Sequence, residues 1–315
     1  MAATTLWQRD GGPIDVGFFA SLYSRTFDRI VKKNEAEPAE GAQFFGNETT
    51  NRNEFKIGEM SSVLDVPMVN SDSAKVPMVS PLEGYPKTFT PVQRRSGFIV
   101  TRESIEKQKT RMIQSCLNGL PASFKSLREL AIASFLANSH STETGSDGSA
   151  VFALIHNLED PKFGTWSNLA ASAGGVTTAS LFDAWSNLQG RVNAKGRPTP
   201  DVPADLAYHY SKHEAVMKVL GSNLYPQNAL NAKLPAFIKA VTPMPLHWVT
   251  DSDMWFVRGR KDKSDPGFKI VVNAKETYVP ISDSLNPDLI MGKRGRVSFA
   301  IGAVHGRGWY SNAGA

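Results

Sequence analysis

Cysteine is almost absent: Cys116 is the single thiol in 315 residues. One thiol cannot close an internal disulfide, so stability must come from packing or association, and this usage suits a reducing cytoplasm. No apolar run is long enough to span a bilayer. The start, Met1 to Arg9, lacks the basic stretch and apolar run of a signal peptide, so none is expected. No second anchor accompanies any amphipathic helix, so no membrane partner is expected either. The sequon Asn47-Glu48-Thr49 therefore carries no expected glycan. Catalytic signatures are missing too. There is no Gly-rich phosphate loop ending in Gly-Lys-Ser/Thr, no Gly-x-Gly-x-x-Gly, no Gly-x-Ser-x-Gly and no His-Glu-x-x-His. These absences exclude the common nucleotide-binding, hydrolase and zinc-protease patterns, and no cofactor is expected.

What is present is ordinary globular material. Hydrophobic residues make up 41% and charged residues 21%, enough for a real core in one large or two modest domains. With 35 Lys and Arg against 30 Asp and Glu the chain carries +5, and its pI is about 9.2. A moderately basic chain suits a polyanion without requiring one.

The chain opens with a helical pattern from Asp15 to Lys33. Phe19, Leu22, Tyr23, Phe27, Ile30 and Val31 share one face, and Arg25, Arg29 and Lys32 share the opposite one. That basic face is either a solvated surface or a face turned toward nucleic acid. A linker from Glu35 to Gly46 follows, then a strand over Phe55 to Met60. Val66-Pro67-Met68-Val69 recurs as Val76-Pro77-Met78-Val79 around the turn-formers Asn70, Ser71, Asp72, Ser73, Ala74 and Lys75. This reads as a protruding hairpin, with a proline in each arm forbidding a central-strand ladder. A lone ribbon is marginal in water, so it is expected to rest on a neighbouring subunit. Ser80 to Arg95 returns extended.

Thr101 is a candidate N-cap for a helix that Gly119 would stop near Asn118. Pro121 would open a second helix lined by Phe124, Leu127, Ala131 and Phe135. Further on, strands are expected at Val151–Ile155, Val202–Tyr208, Phe237–Thr242, Met254–Arg258, Phe268–Val272, Thr277–Val279 and Arg296–Val304. Helices are expected at Ala179–Gln189, capped by Thr178 with Leu181, Phe182, Trp185 and Leu188 inward, and at Ser211–Leu220. The order lacks regular β-α-β alternation, so the class is α+β.

The best enzyme-like constellation is His209, His213 and Glu214 with Asp251 and Asp253. Histidines four apart can share a metal on one helix. Here His209 falls at a strand end and His213 in the next helix, while Asp251-Ser252-Asp253 is turn chemistry. Polar boundary residues explain the pattern, so no metal is expected. His156 and His305 are isolated, and Cys116 has no nearby histidine to activate it. Basic clusters occur at Arg94-Arg95, Lys107/Lys109/Arg111, Arg258/Arg260/Lys261/Lys263 and Lys293/Arg294/Arg296. Without interleaved aromatics they suit phosphate contact or intersubunit ion pairs rather than base reading.

The order of segments resembles the Hong Kong 97-type capsid fold: an arm, a protruding hairpin, a long rod helix and an α+β body. Local strings are similar to those of Mu-like major head subunits. They include Asp147-Gly148-Ser149-Ala150-Val151-Phe152, His156, Trp166-Ser167-Asn168, the Gly196-Arg197-Pro198 turn, Met254-Trp255-Phe256-Val257, and the close from Val297 to Trp309. The resemblance spans about Phe44 to Trp309. It implies an N-arm (1–45), an E-loop hairpin (46–100), a P domain with a spine helix (101–200), an A domain (201–292) and a closing P-domain strand (293–315). It further implies a non-enzymatic major capsid protein of a tailed-phage virion, assembled in the host cytoplasm. Hexamers and pentamers would form an icosahedral head around double-stranded DNA contacted nonspecifically, with portal and scaffold proteins as partners and a decoration protein as an optional one. The E-loop tip would be intersubunit surface, and Arg25, Arg29 and Lys32 would face the DNA. No long helical pre-domain is visible, which implies a separate scaffold or none. Three alternatives stay open: an encapsulin-like compartment shell, a metal-dependent hydrolase, and a nonspecific DNA-binding protein.

Overall fold

The computed structural model describes residues 16–60, 83–101, 103, 110–158, 164–193, 196–221, 236–264, 266–281 and 289–314. The hairpin tip, Asn70 to Lys75, lies outside them. The chain divides into a smaller unit (1–38, 93–126, 275–297) and a larger one (39–92, 127–274, 298–315).

In the smaller unit, helix α1 (Val16–Ala36) forms because an aromatic pair recurs four residues apart. Tyr23 and Phe27 are buried, while Ile30 and Val31 are half-buried. Leu22, expected inward, is 38% exposed. Phe27 is the anchor. Its ring meets Tyr278 edge-on at 5.0 Å and Phe98 at 6.1 Å, and the Lys293 ammonium lies 5.5 Å over it.

The rod is one helix, α2 (Thr110–Asn138), not two. It runs through Gly119 and Pro121, correcting the expected break. Pro121 removes one backbone donor, at a cost of about 3 kcal/mol. Leu117, Leu120 and Phe124 are buried on both sides of it, and each contributes roughly 1.5–3 kcal/mol. Burial therefore outweighs the lost bond, and the Ser123 hydroxyl donates to the Gly119 carbonyl at 2.8 Å. Thr101 is the last residue of strand β4 (Val92–Thr101), and most of the helix expected to start after it lies outside the described residues.

Strands β1 (Gly46–Thr49), β10 (Phe268–Pro280), β11 (Leu289–Ala303) and β4 form one sheet in the order β1-β10-β11-β4. The two expected strands at Phe268–Val272 and Thr277–Val279 are thus a single continuous one. The ribbon is β2 (Phe55–Met60) against β3 (Glu83–Phe89), antiparallel, with a register shift between Gly58 and Met60. Its root is held where Phe89 buries against Val271 and Val304.

The larger unit is built on a second sheet in the order β12-β9-β7-β8: Trp309–Asn312, Trp255–Gly259, Pro203–His209 and Thr242–Leu246. β7 pairs parallel with β8 and antiparallel with β9. Pro243 and Pro245 lie on edge strand β8, where they deny a further strand its donors. Two short strands, β5 (His156–Asn157) and β6 (Thr165–Trp166), pair nearby. Helix α3 (Thr178–Gln189) packs Leu181, Ala184 and Leu188 onto this sheet. Val216 of α4 (His213–Gly221) and Ile238 of α5 (Ala236–Lys239) complete that core.

Three expectations change here. Thr177, not Thr178, caps α3, in a reciprocal capping box with Ser180. Phe237 begins no strand; it sits in α5, where its ring stacks on Trp185 and meets Phe182. Val151–Ile155 is bent rather than extended. Its amides are taken singly, Val151 by the Glu143 carbonyl, Phe152 by that of Ser139 and Ala153 by the Asn168 side chain, so no ladder can form.

Two glycines of the smaller unit predict opposite effects. A Cβ on Gly295 would lie 2.4 Å from the Phe124 ring and 3.0 Å from Tyr278. Gly295→Ala should therefore cost about 1–3 kcal/mol. Gly119 sits inside α2 with nothing within 4 Å of such a Cβ, so Gly119→Ala should stabilise by up to about 1 kcal/mol. Denaturant unfolding of the full chain reads both signs.

Candidate functional site

Four residues from the strings that carried the resemblance meet at one point in the larger unit. Asp147 turns the chain by accepting from the Ser149 amide at 3.2 Å. Its other oxygen lies 2.8 Å from His156 Nδ1. His156 Nε2 lies 2.9 Å from Asn168 Oδ1, which also accepts from the Ala153 amide at 2.9 Å. The Asn168 amide donates to the carbonyls of Val151 at 2.7 Å and Gly306 at 3.2 Å. These donors and acceptors fix the orientation of the Asn168 side chain. Trp166 stacks on the imidazole at 4.1 Å and 14°. Burial opposes ionisation of Asp147, yet hydrogen bonds and charge from His156, with bonds from Ser149, outweigh it and hold its carboxyl below its ordinary value.

Two arginines flank this group. The guanidinium of Arg191 lies 5.3 Å from the Trp166 ring and that of Arg307 5.8 Å. Arg191 is almost fully buried and donates to Asn187 Oδ1 at 2.8 and 3.1 Å and to the carbonyls of Gly306, Arg307 and Trp309. Burial lowers its pKa to about 9, with Asp201 opposing that fall. A second buried centre joins Arg258 to Asp262 at 2.9 Å, while Trp309 Nε1 donates to the same carboxylate at 2.8 Å. Lys263 lies 2.7 Å from Asp205.

These centres do structural work. The cavity beside His156 measures about 10 Å³, room for one water at most. No hydroxyl or thiol nucleophile lies within the described hydrogen bonds of that imidazole. The set fastens the loop around Asp147, the end of α3 and the segment before β12.

The structure does not gather the enzyme-like set. His213 Nδ1 meets the Tyr208 hydroxyl at 2.7 Å, and His209 Nδ1 meets Ser211 at 2.8 Å. Glu214 pairs with Lys218 at 2.7 Å and Asp253 with Lys212 at 2.6 Å. Asp251 accepts from the Asp253 amide at 3.0 Å. Among the described residues no group of three or more His, Cys, Asp or Glu could hold a metal ion. Arg25, Arg29 and Lys32 are all exposed on α1. His156, read as isolated, has partners nine and twelve residues away. The presence of Asp147, His156 and Asn168 within one stretch held that signal, but which groups pair depends on loop folding.

No protein-family model and no curated protein matches the chain. Solved structures do. A structure from Microbacterium phage Oxtober96 superposes with a TM-score of 0.53 at 8% identity, over 89% of this chain and 92% of that one. One from Mycobacterium phage Adephagia gives 0.50 at 12%, over 89% and 91%. The capsid of a native GTA particle gives 0.50 at 10%, over 86% and 88%. The chain has the α+β Hong Kong 97-type capsid fold that its segment order resembles.

Two outcomes follow from the buried centres. While the Gly306 carbonyl would keep its bonds from Arg191 and the Trp309 amide, Asn168→Ala would orphan the Val151 carbonyl, the Ala153 amide and one His156 nitrogen. It should cost about 3 kcal/mol or more, read by denaturant unfolding against Ser134→Ala on the exposed face of α2. The second concerns His140, stacked between Phe152 and Phe256 with Nε2 2.8 Å from Ser311. Burial lowers its pKa from 6.5 to about 4, with Asp251 opposing. The unfolded chain then takes up this proton first, so stability is complete above about pH 6.5 and falls as pH drops toward 4. The loss should reach about 2 kcal/mol by pH 5, and His140→Phe should flatten that part of the pH–stability curve.

Proposed function

We propose that this chain is the shell-building subunit of a tailed-phage head, a major capsid protein. It would assemble with itself as hexamers and pentamers into an icosahedral shell around double-stranded DNA. The observation that carries this reading is the fold shared over about nine-tenths of the chain with the capsid of a GTA particle. The segments would then serve as arm (1–45), E-loop (46–100), P domain (101–200), A domain (201–292) and closing strand (293–315). Portal and scaffold proteins, and optionally a decoration protein, would be its partners, and the virion its final location.

The physics of the ribbon supports the reading. Among the described residues of β2 and β3 there is one well-buried anchor, Phe89, with Phe55 and Ile57 packed beside it. A two-stranded ribbon gains little stability alone. Repeated contacts in a closed shell supply the missing burial, and many weak contacts sum to a stable assembly. Asn70, Ser71, Asp72, Ser73, Ala74 and Lys75 are proposed as intersubunit surface.

Deleting Asn70 to Lys75 should leave a subunit with unchanged circular dichroism and melting but few or no closed particles by electron microscopy and sedimentation. Normal shells from the deletion would sink the hairpin assignment. A parent chain that stays monomeric or dimeric at every concentration, even with a co-expressed scaffold, would sink the shell reading itself.

A further inference from the structure

The chain's positive charge is not evenly shared. The smaller unit holds 16 Lys and Arg against 10 Asp and Glu, a net of +6, and the larger holds 19 against 20, a net of −1. In the larger unit many cations are neutralised internally. Arg258 serves Asp262, Lys263 serves Asp205, Lys212 serves Asp253, Lys218 serves Glu214 and Lys269 lies near Glu48. That removes Arg258 and Lys263 from the cluster at 258–263 as free phosphate ligands.

The smaller unit presents unpaired cations on two faces. On α1, Arg25, Arg29 and Lys32 lie roughly opposite Phe27 at 3.6 residues per turn. All three are exposed, and none has a hydrogen-bond or ion-pair partner among the described residues. On the sheet, Lys293 is buried over Phe27 whereas Arg294, the next residue, is exposed. Successive side chains of a strand point to opposite faces. Phe27 packs on the sheet's inner face, so the cations of α1 and those around Arg294 point in opposite directions. One layer of nucleic acid in a closed shell can meet only one of these faces.

Their chemistry differs. The sheet face mixes Arg95 and Arg294 with exposed Ile99 (53%) and Val279 (41%), beside a hollow of about 370 Å³. Arginine among apolar side chains is the composition of a protein interface. Among the described residues of the α1 face, Leu22 (38% exposed) is the one large apolar side chain beside the cations, and Asp28 is the one carboxylate at their flank. A protein docking there would find less apolar surface than the more exposed Ile99 and Val279 offer on the sheet face. A phosphate backbone needs none, because its affinity comes from released counterions.

We propose that the outer face of α1, through Arg25, Arg29 and Lys32, is the phosphate-backbone contact for double-stranded nucleic acid, and that the sheet face does not serve this role. The inference selects one surface for the DNA-facing side of the shell proposed above and rests on that reading for its biological setting, though the binding itself can be scored on free subunits.

The test is anisotropy of a random-sequence DNA duplex against the full-length chain below its assembly concentration, from about 50 to 200 mM salt. Three neutralised phosphates give a log–log salt slope of about 2.7, or roughly 40-fold in affinity across that range. Arg25→Ala/Arg29→Ala/Lys32→Ala should lose this salt dependence. Arg95→Ala/Arg294→Ala should keep it. Melting curves establish that both variants fold. An unchanged slope in the α1 variant, an equal loss in the sheet variant, or polyglutamate displacing the duplex at matched charge would overturn the proposal. Shell formation is scored separately on parent protein. Particles with an unaffected α1 slope would sink this inference alone, whereas a lost slope without particles would sink the shell reading and leave the phosphate site standing.

Discussion

Trp309 is fully buried at the point where the larger unit's chain segments converge, and their arrangement depends on filling that one site. Its ring stacks on Phe268 at 4.7 Å and takes Phe44 edge-on at 5.3 Å. Its indole N–H reaches Asp262, whose carboxylate also takes Arg258 and the Gly267 amide. The Arg258 guanidinium lies 5.7 Å over the same ring, and the Trp309 carbonyl accepts from Arg191. The root of the arm, the first turn of β10, the end of β9 and the segment after α3 are thereby held by one side chain. A large aromatic with a polar handle suits this task, because it excludes water while leaving its single donor satisfied.

Around that point the unit uses buried charge as connector. Arg191 is satisfied by four oxygens, three of them backbone carbonyls, rather than by a carboxylate. Such a group is costly to bury alone and valuable only when every donor is met. It therefore ties loops that have no regular ladder of their own. The Asp147–His156–Asn168 chain works in the same way on a neighbouring loop. Rigid loops of this kind suit a protein proposed to repeat one contact many times over a shell, since a small error in each copy would accumulate.

Much of the architecture was legible in the sequence because it follows local periodicity. The 3.6-residue spacing of Tyr23 and Phe27 set the buried face of α1 and hence the exposed face with Arg25, Arg29 and Lys32. Phe55–Met60 emerged as a strand with the expected limits. Local rules failed where tertiary burial overrode them. Gly119 and Pro121 signal a helix break, yet Leu117, Leu120 and Phe124 bury around them and carry α2 through. Phe237 reads as strand and instead packs from a short helix onto Trp185.

The sequence by itself determined composition, charge, the order of segments and which side chains share a face, since these depend on neighbours only a few residues apart. The tertiary structure alone decided which polar groups meet and which cations stay free. Asn168 reaches Gly306 across 138 residues and Arg191 reaches Trp309 across 118. No short-range pattern encodes such pairs. They exist because burial makes an unpaired donor or acceptor costly, so the packed chain is selected for arrangements that leave very few.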